Sequence, residues 1–354
     1  MKNNRKKVAI LGPVGNAIPP RKQGGIEWMV YSLTESLVKK GYQVLLFAPK
    51  STKTSAKLVP IGIKPISKYK SLPEYEATRK LRIELSTLTN MLAEILKRKE
   101  EIGVIFNHTV SGGMFASLEK MLNIPAFHVL HLPLYKELAN VFEKYNARLV
   151  SISGSQRRPF PHLNYATTIY NGIDLRKFPF SKKPKDYFIF SGKIIPTKNP
   201  LDAIKATKTA REKIIIIGKI LNQNYFKKKI KPLLNKDVVY LGEVSLLEAA
   251  ELYKNAKALL FPIKWEEPFG LVMIEAMSCG TPVIAYPNGA VPEVVKDKET
   301  GFIVKNVNEM AKAIKNIDKI NREKCRERVK KYFTAGKMID EYEKILFKVL
   351  KKGN

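Results

Sequence analysis

Two glutamates, Glu267 and Glu275, stand eight positions apart in the string KWEEPFGLVMIEAMSCGTPVIA, with Pro268, Phe269 and Gly270 between them. Pro268 suits the first turn of a helix, and Gly270 lets a backbone pass close to a ligand. The amide groups at the start of a helix over 271–278 would then be open to an anion. Glu267 falls just before that helix, and Glu275 lies about a turn along it, on the face of Leu271. The plain alternative makes Glu267 a helix-terminal charge and Glu275 a solvated residue. Against it, Glu275 is set in LVMIEAMSC, a nearly all-apolar stretch, where a carboxylate without a partner is expensive. A binding role is favoured.

A second cluster is FSGKIIPTKNP. The strand expected over 187–191 ends in Gly192, and Lys193 and Lys198 follow before a helix that begins near Pro200. Two cations at the carboxyl end of a strand suit a diphosphate, although a lysine pair in so lysine-rich a chain carries little weight alone. Gly24 and Gly25 stand directly before another helix start, again suited to an anion. The spacings G-x-G-x-x-G and G-x-x-x-x-G-K-[ST] are absent, which argues against a dinucleotide fingerprint and a P-loop. Of the four histidines, His108 ends a strand over 102–107 and His131 ends one over 126–130. Both are expected at the ligand-binding side of one sheet. His128, inside its strand, reads as a core residue, and His162, beside Pro161, as an exposed loop residue. Without H-E-x-x-H or Asp-x-Asp, no metal site is expected. Without G-x-S-x-G there is no hydrolase elbow.

The elements that must hold these residues alternate strand and helix from end to end, which predicts parallel sheets with crossover helices. The first series has strands over 7–11, 43–48, 102–107, 126–130 and 147–152, with helices from Ile26, over 72–99 and over 114–122. Met29, Val30, Leu33 and Leu37 share one helical face, and Gly41 ends that helix. Residues 171–186, rich in charge and broken by Gly172, Pro179 and Pro184, read as a linker. The second series has strands over 187–191, 213–217, 238–241, 258–261 and 282–285, and helices over 200–210, 226–234, 246–255 and 271–278. The last 45 residues or so have helical spacing. Two open sheets of this kind would place a ligand at the carboxyl ends of their strands.

Length and composition agree. At 354 residues with 45% hydrophobic content, the chain has the size of two domains and enough apolar mass to pack them, so disorder is excluded. The net charge of +31 invites a nucleic-acid partner, but the excess is +15 over residues 1–170 and +16 over 171–354. An even spread, with no aromatic interleaving, fits heat adaptation better than a nucleic-acid surface. Lys50–Lys70 is the exception, with six lysines and no acid. No apolar run approaches the eighteen or so residues of a membrane span. The opening MKNNRKKVAILGPVG reads as a strand rather than a leader. Cys279 and Cys325 form no disulfide framework. A cytoplasmic location is expected.

Together these strings resemble glycosyltransferase family 4, a retaining family of the GT-B fold, over nearly the whole chain. EPFGLVMIEAMSCGTPVIA is similar to its donor-site signature of two glutamates, and GAVPEVVKDKETGFIV continues that pattern. GKIIPTK resembles the family's diphosphate motif, with Lys193 where the family has arginine; a lysine offers a point charge instead of a fork. PPRKQGGIEWMVYSLTESLVKKGYQV resembles the N-terminal glycine loop and first helix, VLHLP the segment of the active-site histidine, and SISGSQRR with IYNGID the interdomain segments.

The resemblance implies two doubly wound Rossmann-like domains facing across a cleft: an acceptor-side domain over 1–170, and a nucleotide-sugar-binding domain over 187–334. A C-terminal helix over 335–354 is expected to return to the first domain. Glu275 would hold the ribose hydroxyls, and Glu267 the donor sugar. Phe269, Gly270 and Leu271 would offer backbone N–H groups, and Lys193 and Lys198 would neutralise the departing diphosphate. His131 would meet the sugar from the other domain, and Gly24 and Gly25 would lie in the donor site. The expected activity is retaining, metal-independent transfer of a hexose from a UDP- or GDP-linked sugar, a co-substrate, to a hydroxyl acceptor. That acceptor could be lipid-linked, with Lys50–Lys70 touching the inner membrane face. The competing enzymes are a sugar-nucleotide epimerase and a phosphorylase of the same fold; a non-catalytic phosphosugar or nucleic-acid binder competes from another class.

Overall fold

Runs such as KVAIL, VLLFAP, IGVIFN and IIII, rich in β-branched and large apolar residues, form strands, and the segments between them, most of them helical, carry the chain back before the next one begins. Every strand pairing is accordingly parallel. The computed structural model describes residues 6–20, 24–62, 64–68, 76–110 and 112–350. They divide into two units. The first comprises residues 1–152, 157–169 and 335–354, and the second 153–156 and 170–334.

The first unit is built on seven strands: β1 (Lys7–Leu11), β2 (Val44–Pro49), β3 (Lys57–Ile61), β4 (Ile102–Asn107), β5 (Ala126–Val129), β6 (Arg148–Ser151) and β7 (Tyr165–Thr168). Their order is β3-β2-β1-β4-β5-β6-β7, so the winding reverses between β1 and β4. The helix Gly25–Lys39 buries Met29, Val30, Leu33 and Leu37, the face its spacing predicts, and Gly41 follows at φ +86°. The helix Glu76–Lys97 buries Leu88, Met91 and Ile95 against the sheet core. The C-terminal helix Ala335–Leu350 belongs to this unit. It buries Met338, Ile339, Tyr342, Ile345 and Leu346, and the Tyr342 ring stands edge-on to Phe106 of β4 at 5.2 Å. Lys40 pairs with Glu343 and Asp340 of the same helix.

Three local expectations are corrected, and one stretch gains an element. Residues 57–61 of the lysine-rich stretch, given no element above, form β3, an edge strand whose Val59 and Ile61 are buried while Lys57 points outward; of that stretch, Ile63, Tyr69 and Lys70 lie outside the described residues. The helix expected over 114–122 is two pieces, a 3₁₀ turn Gly112–Phe115 and a helix Leu118–Leu122, which lets Phe115 and Leu118 both enter the core. The helix expected over 226–234 opens into a wide turn, Phe226–Ile230, then a 3₁₀ turn, Lys231–Leu233. Pro232 has no N–H with which to continue it. The stretch 171–186 is part of the second unit: Asp174 caps the turn Leu175–Lys177, Phe178 is buried, and the Ser181 and Lys185 amides donate to Cys279 and Asn255 carbonyls.

The second unit has six strands: β8 (Phe188–Ser191), β9 (Ile214–Ile217), β10 (Val238–Gly242), β11 (Leu259–Phe261), β12 (Val283–Ala285) and β13 (Gly301–Ile303). Their order is β10-β9-β8-β11-β12-β13, reversing between β8 and β11. Its far end is tied by Arg322, whose guanidinium donates to the carbonyls of Ser181, Lys254 and Ala256, each at 2.8 Å, and to Thr281 Oγ1 at 2.9 Å. One planar fork meets four acceptors, a geometry lysine cannot reproduce. Arg322→Lys is expected to lower the unfolding free energy by roughly 2–3 kcal/mol in urea, through acceptors left buried and unpaired. A midpoint equal to the parent's would show that water replaces the fork.

Candidate functional site

The second unit gathers its reactive side chains where β8 and β11 end. After Ser191 the chain passes Gly192 and runs to Asn199, whose amide nitrogen donates to Asp202 Oδ2 at 2.7 Å and to the Pro262 carbonyl at 2.9 Å. Those bonds fix the start of the helix Pro200–Ala210 and hold Lys198 inward. Its ammonium lies 4.7 Å from the Trp265 ring centroid and 5.7 Å from that of Phe261, and it forms an ion pair with Glu267 Oε2. The indole N–H of Trp265 donates to the same oxygen at 2.8 Å. Glu267 is 8% exposed, so its charge is tolerated because a cation and a donor meet it.

The backbone around Glu267 is held as tightly. A Cβ at Gly289 (φ +61°) would stand 2.2 Å from the Glu267 carbonyl oxygen, so only glycine fits. The Ala290 amide donates to that carbonyl at 2.9 Å. Gly270, at φ +84°, turns the chain into the helix Leu271–Ser278, whose first turn no side chain caps. With no side-chain cap, its leading amides offer the donors of an anion-binding end. The Phe269 side chain is not part of that surface. It is 2% exposed and packs on Tyr170 and Phe333 at 6.1 and 5.8 Å. Leu271 is half-buried.

Glu275 lies one turn along this helix. The residue keeps some exposed surface, but its carboxyl is enclosed by protein, and burial pushes it up to about 7. The Tyr253 hydroxyl donates to Glu275 Oε2 at 3.3 Å and lies 2.7 Å from Ser191 Oγ. A phenol has one proton, so the shorter contact uses the serine's. Glu275 is thereby connected to the end of β8. Lys193, by contrast, is exposed, and no ion pair among the described residues involves it.

The first unit holds the remaining candidates. Gly24 precedes the helix Gly25–Lys39, and a Cβ on it would meet Pro20 at 2.7 Å and Glu27 Oε2 at 2.9 Å. Glu27 is buried and accepts from Asn16 Nδ2 at 2.8 Å. The glycine loop is stitched to the lysine-rich stretch, with Ile18 N donating to Thr52 Oγ1 at 3.2 Å and Ser67 N to the Gly15 carbonyl at 3.0 Å. His131 follows β5, is 8% exposed, and lies 3.1 Å through Nε2 from His108 Nδ1. Burial lowers His131 to about 3, His128 to about 4, and His108 well below the ordinary histidine value. All three are neutral at physiological pH. No group of three or more His, Cys, Asp or Glu among the described residues gathers as a metal site would.

Lys198 and Glu267 are thus in contact, Phe269, Gly270 and Leu271 belong to the adjoining turn, and Glu275 is linked to the neighbouring strand end. Two participants escape a reading of the sequence. Trp265 sits beside Glu267 in KWEEPFG and could be suspected from that adjacency; Tyr253 is distant in sequence from Glu275 and gives no local signal, and for His108, expected beside the same strand ends as His131, only the contact between the two rings is new.

Comparison with known proteins points one way. The family description "Glycosyl transferases group 1" matches residues 173–334, and "Glycosyltransferase Family 4" matches 23–177. Among curated relatives, the N-acetyl-alpha-D-glucosaminyl L-malate synthase of Bacillus anthracis is 30% identical over 208 residues, 52% of this chain. The match spans about half of that relative, 54%. Among solved structures, sucrose-phosphate synthase from Thermosynechococcus elongatus superposes with a TM-score of 0.81 at 20% identity, covering 98% of this chain and 100% of that one. Anabaena HepE, solved with UDP-glucose, gives 0.73 at 18% identity, covering 96% and 99%. These likenesses show the fold: two parallel sheets with crossover helices, GT-B.

The elevated Glu275 carboxyl has a thermodynamic signature. A carboxyl near 7 in the folded protein and at the ordinary 4.5 when unfolded keeps its proton longer in the fold, so stability falls as pH rises through that interval. Glu275→Gln removes this term. Its melting temperature relative to the parent should climb between pH 5 and pH 8, and a difference independent of pH would place the carboxyl in water.

Proposed function

We propose that this chain, which belongs to glycosyltransferase family 4 and its group 1 transferases, moves a hexose from a nucleoside diphosphate sugar to a hydroxyl acceptor with retention at the anomeric carbon. The donor is read as UDP- or GDP-linked; the Anabaena HepE complex with UDP-glucose, on a shared fold, supports the first. The observation that carries this reading is the contact of Lys198 with Glu267 directly before the uncapped helix at Gly270.

In this reading the bond from the sugar's anomeric carbon to the diphosphate oxygen breaks, leaving positive charge on the sugar and negative charge on the departing group. The acceptor oxygen forms the new bond, and its proton passes to the departing diphosphate. Lys198 and the leading amides of the helix stabilise the negative charge; Lys193, which is exposed, adds a weaker, screened attraction. When Lys198 turns to phosphate, Glu267 Oε2 can accept from a sugar hydroxyl in its place, so one carboxylate is neutralised first by lysine and then hydrogen-bonded by substrate. Glu275 receives the ribose hydroxyls. His131, neutral because it is buried, contacts the sugar without setting a cation against the charge developing there.

Lys198→Ala is expected to lower turnover on the order of ten- to a hundredfold, the cost of one electrostatic group in a sheltered site, and Lys193→Ala several times less. Release of nucleoside diphosphate from UDP-glucose, UDP-N-acetylglucosamine and GDP-mannose measures both. Parent-like turnover in Lys198→Ala would remove it from the diphosphate site. Turnover should also survive EDTA, and a loss restored by Mn²⁺ would contradict the metal-independent step.

The reading extends to a peripheral contact with an anionic membrane surface carrying a lipid-linked acceptor. What supports it is that Lys50, Lys53, Lys57, Lys64 and Lys68 are all exposed, on a stretch stitched to the glycine loop. No helix among the described residues is long and apolar enough to cross a membrane, so such contact would be electrostatic. Each lysine near such a surface contributes about 1 kcal/mol, lost within a Debye length. Binding to vesicles containing acidic lipid should vanish near roughly half-molar salt and weaken when Lys64, Lys68 and Lys70 become Ser. Equal binding by that variant would leave the lysines as protection of the edge strand β3.

A further inference from the structure

His108 does nothing in the mechanism above, yet it is fully enclosed and touches His131. It is 0% exposed, its amide donates to the Leu11 carbonyl at 2.9 Å, and its ring lies 6.0 Å from that of Tyr342 on the C-terminal helix. Its Nε2 is buried with no hydrogen-bond partner among the described residues. Its Nδ1 meets His131 Nε2 at 3.1 Å, with the two rings 29° from parallel. Burying an imidazole with one of its two nitrogens unpaired costs free energy, so the bond the other nitrogen makes has to be one the structure uses.

We infer that His108 is a positioning residue that fixes the tautomer of His131, donating from Nδ1 so that His131 carries its own proton on Nδ1 and presents it to the substrate. The choice between the two possible arrangements follows from the unpaired atom. A single proton lies between the rings. If it belonged to His131 Nε2, the proton of His108 would sit on Nε2, a buried N–H with no acceptor. If it belongs to His108 Nδ1, the orphan is a bare ring nitrogen. Orphaned buried N–H groups are the rarer fault in folded proteins, and the second arrangement avoids one. His131 Nε2 then accepts, and Nδ1–H is the ring atom left to donate to a ligand. Such a proton is offered in one direction by a neutral group. A hydroxyl oxygen of the donor sugar is the acceptor it fits, and that last step rests on the transferase reading given above.

The tautomer itself can be read without any substrate. The chain has four histidines, so long-range ¹⁵N–¹H spectra of ¹⁵N-histidine protein are assignable by single substitution. His131 in the parent should show a protonated Nδ1 and a bare Nε2. His108→Phe should shift it toward a mixture, and His108→Asn, whose amide nitrogen takes the place of Nδ1, should restore it. For the nucleotide sugar that the parent turns over, His108→Phe should lower kcat about tenfold with KM within about twofold, about 1.4 kcal/mol confined to the transition state, and His108→Asn should recover most of it. A parent His131 protonated on Nε2 overturns the inference. So does a His131 whose tautomer is unchanged in both variants, whether or not the phenylalanine variant melts early. If the tautomers behave as described and none of the sugar nucleotides is consumed, the transferase reading fails and the positioning of His131 stands.

Discussion

Charge buried at the carboxyl ends of parallel strands must be answered on the spot, and the second unit answers it in two different ways. Glu267 is met by the ammonium of Lys198 and the indole of Trp265. Glu275 has a phenol and its own proton, held by enclosure. Both solutions are labile. An ion pair exchanges partners when a phosphate arrives, and a proton near 7 is surrendered when hydroxyls solvate the carboxylate in its place. The scaffold spends its rigidity on the backbone beneath: Gly289 pressed against Glu267, Asn199 bridging Asp202 and Pro262, and Gly218, where a Cβ would stand 1.9 Å from the Gly192 carbonyl. Fixed main chain under exchangeable side-chain charge is what a site for an anionic substrate requires.

In a chain with 63 lysines and arginines, positive charge alone locates nothing. Lys193 and Lys198 look alike in the sequence, five residues apart. The structure separates them by burial: Lys198 is drawn beside two aromatic rings and a carboxylate, and Lys193 stands in water. The same contrast governs the histidines. His162 is exposed, while His108, His128 and His131 are buried and neutral. Enclosure, more than residue type, decides which titratable groups can act.

The fold was largely legible because its signals are local. The apolar runs of β1 and β4 and the helices Pro200–Ala210, Leu246–Asn255 and Leu271–Ser278 fall where periodicity and glycine or proline punctuation put them. What escaped was decided by partners. Residues 57–61 became a strand because β2 offered an edge to pair with; Lys57 and Pro60 gave no strand signal. The helix Lys136–Lys144 and the strand Tyr165–Thr168 are short and lean on neighbours distant in sequence. The site divides along the same line. The glutamates, the lysines and Gly270 lie in two compact strings that can be read directly, whereas the contacts of Tyr253 with Glu275, some twenty residues on, and of His108 with His131, as far apart, form only when helices pack and strands align.

The second unit is an insertion within the first. The chain leaves the first unit after Ile152, returns at Arg157, leaves again after Ile169 and returns at Ala335, so the segment that closes the seven-stranded core is made after all the strands of both units. Until residues 335–350 emerge during synthesis, Phe106 and the outer face of β4 lack the Tyr342 ring that covers them. The N-terminal unit, begun first, is thus completed after the C-terminal one. A premature stop near residue 335 would strike the unit farthest from it in sequence, leaving the second unit with its own strands intact and its elder neighbour with an uncovered core.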